Sequence, residues 1–156
     1  MIELGAGTGV LGIICSKLGA SKVVLTDHDE ISINHMKKDC LTNDIASTVS
    51  VEILDWYNLK ISELGLFESI EKPPTFTIVA GDVMYKKELI EPFFTTVKLL
   101  FNEYTQYYNS FDISIQPRLI LCHIPRAGEF LGHISAISIS FIITLWDDYP
   151  LYPLYR

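Results

Sequence analysis

Short, unbroken runs of apolar residues recur along this chain, and each is followed by a longer segment in which apolar and polar residues mix. An unbroken apolar run is typical of a strand that is buried on both faces of a parallel sheet. Strands that alternate with helices predict an α/β fold with a mainly parallel sheet. The five predicted strands cover residues 1–4, 22–26, 48–54, 76–80 and 118–124, and in the third of them Val49, Val51 and Ile53 are expected on one side.

Three segments with apolar residues at intervals of three and four predict helices that pack on this sheet. They cover residues 10–18, 29–41 and 86–101, and residues 102–116 are expected to form a polar connection. Helices on both faces complete a Rossmann-like three-layer sandwich. The residues expected to face inward are Leu11, Ile14 and Leu18 in the first helix, Ile31, His35 and Met36 in the second, and Leu89, Phe93, Val97 and Leu100 in the third.

The loop after the first strand is rich in glycine, with Gly5, Gly7 and Gly9 at every second position. Glycine suits a turn in which the backbone adopts a positive φ and a ligand approaches closely. The helix that follows directs its free N–H groups at such a ligand. Asp27, at the end of the second predicted strand, is placed to accept hydrogen bonds from both hydroxyls of a ribose. The pattern therefore predicts a nucleotide-type cofactor.

The glycine loop alone does not distinguish between two classes of cofactor. Residues 7–12 also satisfy the dinucleotide fingerprint G-x-G-x-x-G, and Asp27 follows at about the expected 20 residues, so an NAD-dependent oxidoreductase is an alternative. Three features favour S-adenosylmethionine, and one of them is that residues 81–85 end the fourth strand over the reactive end of the cofactor. Glu3 lies two residues before the first glycine, where an acid orients the loop and the amino-acid end of the cofactor. Asp55 and Trp56 follow the third strand, where a carboxylate can accept from adenine beside an apolar side chain.

The fourth predicted strand ends in residues 81–85, at the edge of the sheet where ligands bind in such folds. Asp82 could hold an incoming ammonium group by its charge, and Tyr85 could orient the amine or line its channel. Two plainer interpretations stay open. Asp82 could cap the next helix, and Tyr85 could be a core or rim aromatic residue.

In these motifs the chain resembles the class I S-adenosylmethionine-dependent methyltransferases. More narrowly, it resembles methyltransferase family 16, the seven-β-strand protein lysine methyltransferases. The resemblance covers residues 1–128 and is carried by residues 3–9, 25–27, 54–56 and 82–85. It implies S-adenosyl-L-methionine as the cofactor and methyl transfer to a lysine side chain of a protein. The implied cofactor-binding residues are Glu3, Gly5, Gly7, Gly9, Asp27, Asp55 and Trp56, and the implied catalytic residues are Asp82 and Tyr85.

The chain departs from this family at both ends. Members have a segment ahead of the first strand that covers the cofactor, and they continue past the fifth strand with a helix and a β-hairpin. We therefore expect an N-terminally truncated, incomplete methyltransferase domain at residues 1–128 and an atypical C-terminal extension at 129–156, either a strand pair or sequence foreign to the fold. These departures, and the fact that the resemblance does not specify the substrate, leave two alternative functions open. They are a catalytically incomplete methyltransferase-like fragment or isoform, and a small-molecule N-methyltransferase.

Composition narrows the expected partners. The chain has 156 residues, of which 49% are hydrophobic and 20% charged, as in a single globular domain. The net charge of −7 argues against nucleic acid and against an anionic membrane surface as partners. The resemblance implies a protein substrate as the partner, and we expect a monomer. The three cysteines are scattered without metal-ligand spacing. They predict reduced thiols, no metal site, and a cytoplasmic or nuclear protein.

Overall fold

The computed structural model describes residues 1–64, 75–108, 117–123 and 139–143. The strands are β1 (Ile2–Leu4), β2 (Val23–Asp27), β3 (Val49–Ile53), β4 (Thr77–Gly81), β5 (Arg118–His123) and β6 (Ile139–Ile143). They form one sheet in the order β3-β2-β1-β4-β5-β6. The first five strands run parallel to their neighbours, and β6 runs antiparallel to β5. The predicted α/β class with a mainly parallel sheet is confirmed.

Helices cover both faces of this sheet. They are α1 (Val10–Lys17), α2 (Glu30–Thr42) and α3 (Ile90–Tyr108), and a 3-10 turn at Lys87–Leu89 leads into α3. On one face, α1 and α2 pack on a core that includes Leu25 and Met36. On the other face, α3 packs on a core that includes Ile78 and Phe93. The molecule is therefore the expected three-layer sandwich.

The first helix buries a glycine rather than the apolar residues predicted to face the sheet. Leu11, Ile14 and Leu18 are exposed, and Leu18 is exposed by 82%. Gly12 is buried instead, and a Cβ added to it would collide with the side chain of Leu25. The backbone of α1 thus lies close to β2 at Gly12, and Ile13 is the large side chain of this helix that packs against the core. The inward assignment of these three residues is wrong.

The buried face of α2 also differs from the predicted one. Met36 is buried as expected, but Ile31 and His35 are exposed, and Ile33 and Cys40 take the inward positions. Positions three and four residues apart share one face of a helix. Two apolar stripes overlap on this helix, and packing against the sheet selects the stripe that contains Met36 and Cys40.

The strand β3 lies at one edge of the sheet. Val49 and Val51 are buried against α2, as their alternation with polar residues predicts. Ile53, the last residue of the strand, is 55% exposed although the same alternation predicts its burial. It lies at the end of an edge strand, where no helix among the described residues covers it.

The third helix is longer than its pattern predicts. The predicted inward residues that are buried are Phe93, Val97 and Leu100. The helix continues through residues 102–108, which were expected to form a polar connection. Tyr104 is only 2% exposed and stacks on Phe76, with ring centroids 5.3 Å apart. Burial of this aromatic pair stabilises the additional turns, so the predicted end of the helix is wrong.

Part of the predicted extension belongs to the sheet. Residues 139–143 pair with β5 in a register that runs from Leu119↔Ile143 to His123↔Ile139. The rest of segment 129–156 lies outside the described residues, and the division at residue 128 stays a prediction. Within the described ranges, no helix is long and apolar enough to cross a membrane. The same ranges contain no group of three side chains suited to hold a metal ion.

Candidate functional site

A cleft of about 340 Å³ opens at the carboxyl ends of the parallel strands. These ends and the loops that follow them meet at one edge of the sheet, which is the usual place for a ligand in this architecture. Of the predicted site residues, those that line the cleft are Gly5, Gly7, Asp27, Asp55, Trp56, Asp82 and Tyr85. The structure thus brings residues from the ends of four different strands into one cavity. Glu3 and Gly9 lie outside this lining.

Two positions in the loop at residues 5–9 require glycine for different reasons. Gly5 has a φ of 63°, and a Cβ there would lie 2.9 Å from Val83 Cγ1, so glycine keeps this part of the cleft open. Gly9 has a φ of 72° and is the N-cap of α1, and a Cβ there would lie 2.9 Å from Leu25 Cδ1. Gly9 therefore allows α1 to pack on the sheet, and its predicted contact with a cofactor stays a prediction.

Glu3 supports the glycine loop from inside the protein. Its side chain is buried, and its Oε2 accepts a hydrogen bond of 2.7 Å from the Gly12 N–H. Its carbonyl oxygen accepts a hydrogen bond of 2.7 Å from the Thr26 hydroxyl. Burial raises the pKa of Glu3 to about 7, and the hydrogen bond from Gly12 partly opposes that shift. This position fits the predicted orientation of the loop by Glu3, although the side chain does not reach the cleft lining.

Asp27 lies at the end of β2 and braces the two turns beside the cleft. Its Oδ2 accepts a hydrogen bond of 2.8 Å from the Gly7 N–H, and its Oδ1 accepts one of 3.1 Å from the Asp29 N–H. His28 Nδ1 lies 3.2 Å from the same Oδ1. A carboxylate has about four acceptor positions, so further hydrogen bonds from ligand hydroxyls are possible. Asp27 is therefore a rigidly held acceptor at the rim.

The segment after β3 forms one wall of the cleft. Asp55 Oδ1 accepts a hydrogen bond of 2.9 Å from the Tyr57 N–H. Trp56 packs edge-to-face on Phe93 of α3, with ring centroids 5.3 Å apart. The Tyr57 hydroxyl donates a hydrogen bond of 2.9 Å to the Glu88 carbonyl. Residues 55–57 thus present a carboxylate and an indole to the cleft. A hydrogen bond connects the same segment to the turn that contains Glu88, on the other side of the cleft.

Asp82 and Tyr85 form the other end of the cleft. Asp82 has a φ of 53°, its N–H donates to the Cys122 carbonyl at 2.8 Å, and its Oδ1 is buried. Tyr85 is 43% exposed, with Lys86 Nζ 5.7 Å from its ring centroid. The N-cap of the following 3-10 turn is Lys86, so Asp82 is not at its capping position. Tyr85 is not a core residue, and both side chains border the cavity.

Half of the residues that line the cleft were not predicted as site residues from the sequence. Most of these missed residues are next to a predicted site residue in the chain. The missed residues are His28, Asp29, Ser32, Leu54, Tyr57, Val83 and Leu89. Asp29 caps α2 by accepting from the Ser32 N–H at 2.9 Å and from its hydroxyl at 2.8 Å, and these bonds lower the pKa of Asp29. This acid-x-x-serine spacing at a helix start is a recognisable signal. Leu89, expected in the core, is half-buried at the cleft instead.

The fold is that of the S-adenosylmethionine-dependent methyltransferases. It matches the solved structure of such an enzyme from Mesorhizobium loti with a TM-score of 0.50 at 14% identity, covering 79% of this chain and 45% of that one. A family model described as lysine methyltransferase matches residues 1–118. The chain belongs to this lysine methyltransferase family. The predicted class and cofactor are thus confirmed at the level of family and fold, in preference to the NAD-dependent alternative.

Three curated relatives illustrate the similarity. The calmodulin-lysine N-methyltransferase of Arabidopsis thaliana is 33% identical over 152 residues, covering 92% of this chain and 44% of that protein. The protein N-lysine methyltransferase METTL21A of Xenopus tropicalis is 34% identical over 92 residues, covering 56% and 37%. The histone-arginine methyltransferase METTL23 of Mus musculus is 29% identical over 117 residues, covering 72% and 43%. The chain spans less than half the length of these relatives.

Proposed function

We propose that this chain binds S-adenosylmethionine and transfers its methyl group to a lysine side chain of a protein. The observation that carries the proposal is the convergence of the glycine loop and of Asp82 and Tyr85 on one cleft. Membership of the lysine methyltransferase family and two relatives named for lysine methylation support lysine as the acceptor. The chain covers less than half of those relatives, so methyl transfer by the whole protein is part of the proposal.

The residues of the cleft fit this cofactor. When bound, S-adenosylmethionine would supply an electrophilic methyl carbon to an attacking amine, with S-adenosylhomocysteine as the leaving group. Asp27 would accept hydrogen bonds from the ribose hydroxyls, and Asp55 would accept one from the adenine amino group. Gly5 leaves open a space that a Cβ would fill beside Val83. Trp56 supplies an apolar surface at the same wall.

Asp82 and Tyr85 would act on the acceptor amine. A lysine ammonium has no lone pair, so its Nζ must lose a proton before it can attack the methyl carbon. The Asp82 carboxylate would attract the incoming ammonium, and Tyr85 would orient the amine beside it. Alignment of the amine with the methyl carbon would lower the barrier without a strong base. Both residues would therefore contribute mainly to positioning and charge.

The first experiment is calorimetric titration with S-adenosylhomocysteine. The chain has two tryptophans, Trp56 and Trp146, so a Trp146→Phe variant would report fluorescence from the cleft alone. Stoichiometric binding that changes the Trp56 emission supports the proposal. A folded chain that binds no S-adenosylhomocysteine would instead be the catalytically incomplete methyltransferase-like fragment.

The second experiment identifies the acceptor with tritiated S-adenosylmethionine and a cell extract. Label that precipitates with protein in acid and is recovered as methyllysine after hydrolysis supports the proposal. Recovery as methylarginine would shift the acceptor to arginine, the residue in the name of the METTL23 relative. Label that stays with small metabolites would favour a small-molecule N-methyltransferase. Omission of the chain provides the background for all three measurements.

A further inference from the structure

Tyr57 joins two segments whose strands are not neighbours in the sheet. It follows β3, and its hydroxyl donates to the carbonyl of Glu88, in the 3-10 turn after β4, at 2.9 Å. In the sheet order, β2 and β1 separate β3 from β4. Tyr57 and Leu89, the residue after Glu88, both line the cleft. The hydrogen bond therefore links the two walls of the cavity.

The two residues of this hydrogen bond lie beside different parts of the site: Tyr57 beside Asp55, and Glu88 in the turn after Tyr85. The Tyr57 N–H donates to Asp55 Oδ1, so movement of Tyr57 would displace the carboxylate assigned to adenine. Glu88 lies in the turn that begins two residues after Tyr85, the side chain assigned to the acceptor. Tyr57 is itself 66% exposed, so its ring adds little to the core. The main contribution of this side chain is its hydroxyl.

We propose that Tyr57 is a positioning residue that couples the cofactor end of the cleft to the acceptor end. Its hydrogen bond to Glu88 holds the segment of Asp55 and the turn after Tyr85 as one unit. Binding of the cofactor at the first segment then orders the second. The coupling rests on the proposed function, whereas the hydrogen bond itself can be tested without any ligand.

The hydrogen bond is tested by hydrogen–deuterium exchange of the purified chain without ligand. Tyr57→Phe removes the hydroxyl and keeps the ring, and Tyr107→Phe makes the same change at an exposed position of α3 outside the cleft lining. Tyr57→Phe should speed amide exchange in residues 55–58 and in residues 86–90, and the control should change neither segment. Unchanged exchange in residues 86–90 would overturn the proposal.

The coupling is tested by the same exchange measurement with saturating S-adenosylhomocysteine. In the wild-type chain the ligand should slow exchange in residues 55–58 and in residues 86–90. Tyr57→Phe should bind the ligand about fivefold more weakly, the effect of one hydrogen bond of typical net strength. At saturation, this variant should still show slower exchange in residues 55–58 but no longer in residues 86–90. If Tyr57 had only a structural role, the ligand would slow exchange in residues 86–90 of the variant as it does in the wild type.

Slowing that persists in residues 86–90 of saturated Tyr57→Phe would overturn the coupling, because direct contact with the ligand would then explain it. A wild-type chain that binds no S-adenosylhomocysteine would contradict the proposed function instead. In that case the ligand-free exchange of Tyr57→Phe still decides whether the hydrogen bond holds the two walls together. The two failures are therefore distinguishable.

Discussion

At the scale of single residues, Asp27 connects two turns at one end of the cleft. Its two carboxylate oxygens hold the N–H groups of Gly7 and Asp29, so the acceptor is in place before a ligand arrives. Such preorganisation lowers the entropic cost of binding. Asp82 differs, because it lies after β4, at the other end of the cleft, and its backbone is in the left-handed region. The two acids should therefore affect different steps.

Asp27→Asn should weaken the binding of S-adenosylhomocysteine roughly 10- to 100-fold, because hydrogen bonds to a charged group contribute about 1.5–3 kcal/mol. An amide has only one acceptor oxygen, and its NH₂ group would face an N–H donor of the loop. Titration calorimetry measures the change. Asp44→Asn is the matched control, because Asp44 is exposed, outside the cleft lining, and at a φ of 57° that asparagine tolerates. Equal affinities for both variants would remove Asp27 from the binding site.

Asp82→Asn should leave the affinity for S-adenosylhomocysteine within about threefold and lower turnover by about two orders of magnitude, because the charge proposed to attract the ammonium is lost. Asparagine suits the φ of 53° at this position, so the variant avoids the strain that alanine would add. Tritium transfer to protein measures turnover, and calorimetry measures binding. If turnover stays at the wild-type level while binding is intact, the assignment of Asp82 to the acceptor is wrong.

At the scale of elements, the close approach of α1 to β2 determines how the glycine loop is presented. The helix contacts the sheet through Gly12, whose N–H also donates to the buried carboxylate of Glu3. Gly12 therefore both allows α1 to pack closely on the sheet and connects the helix to the residue that supports the glycine loop. A side chain at this position would push the helix away from the sheet and disturb the loop that precedes it.

Gly12→Ala should destabilise the fold by about 1–3 kcal/mol, the usual cost of overpacking, although alanine favours a helix more than glycine does. Urea unfolding measures the free energy. Ile14→Ala on the same helix is the control, because Ile14 is 49% exposed and its truncation should cost about 0.5 kcal/mol or less. The opposite order of the two effects would contradict the packing of α1 through its glycine.

At the scale of the whole molecule, Glu3 makes stability depend on pH. Its pKa is about 7 in the folded chain against an ordinary 4.5, so between these values the folded state keeps a proton that the unfolded state has released. The contribution of Glu3 to stability is therefore full below pH 4.5 and is lost as the pH rises to about 7. The cause is burial, because a carboxylate is costly to hold away from water.

Glu3→Gln should become more stable relative to the wild type as the pH rises from about 5 to about 8, by at most about 3 kcal/mol. Glutamine keeps an oxygen that can accept from Gly12 but does not titrate. Urea unfolding at several pH values measures the difference, and Glu91→Gln, an exposed acid of α3, should run parallel to the wild type. A constant difference between Glu3→Gln and the wild type would show that Glu3 is ionised in the fold at all these pH values.

Much of the fold and site could be predicted because local pattern and strand topology encode them. Unbroken apolar runs marked β1 to β5, and polar residues just after those runs had to converge at one edge of a parallel sheet. Asp27, Asp55 and Asp82 therefore met in one cleft as expected. The sequence also contained the N-cap at Asp29, which local pattern could have revealed.

By itself, the sequence determined the class of fold, the glycine loop and the acids at the strand ends, because each of these depends on residues close together in the chain. Only the tertiary structure decided that α1 is buried through Gly12 and that α3 extends to Tyr104 and beyond. It also decided that Tyr57 reaches Glu88, 31 residues further along the chain. These features depend on distances between segments that are remote in sequence, and the packing of the two faces of the sheet sets those distances.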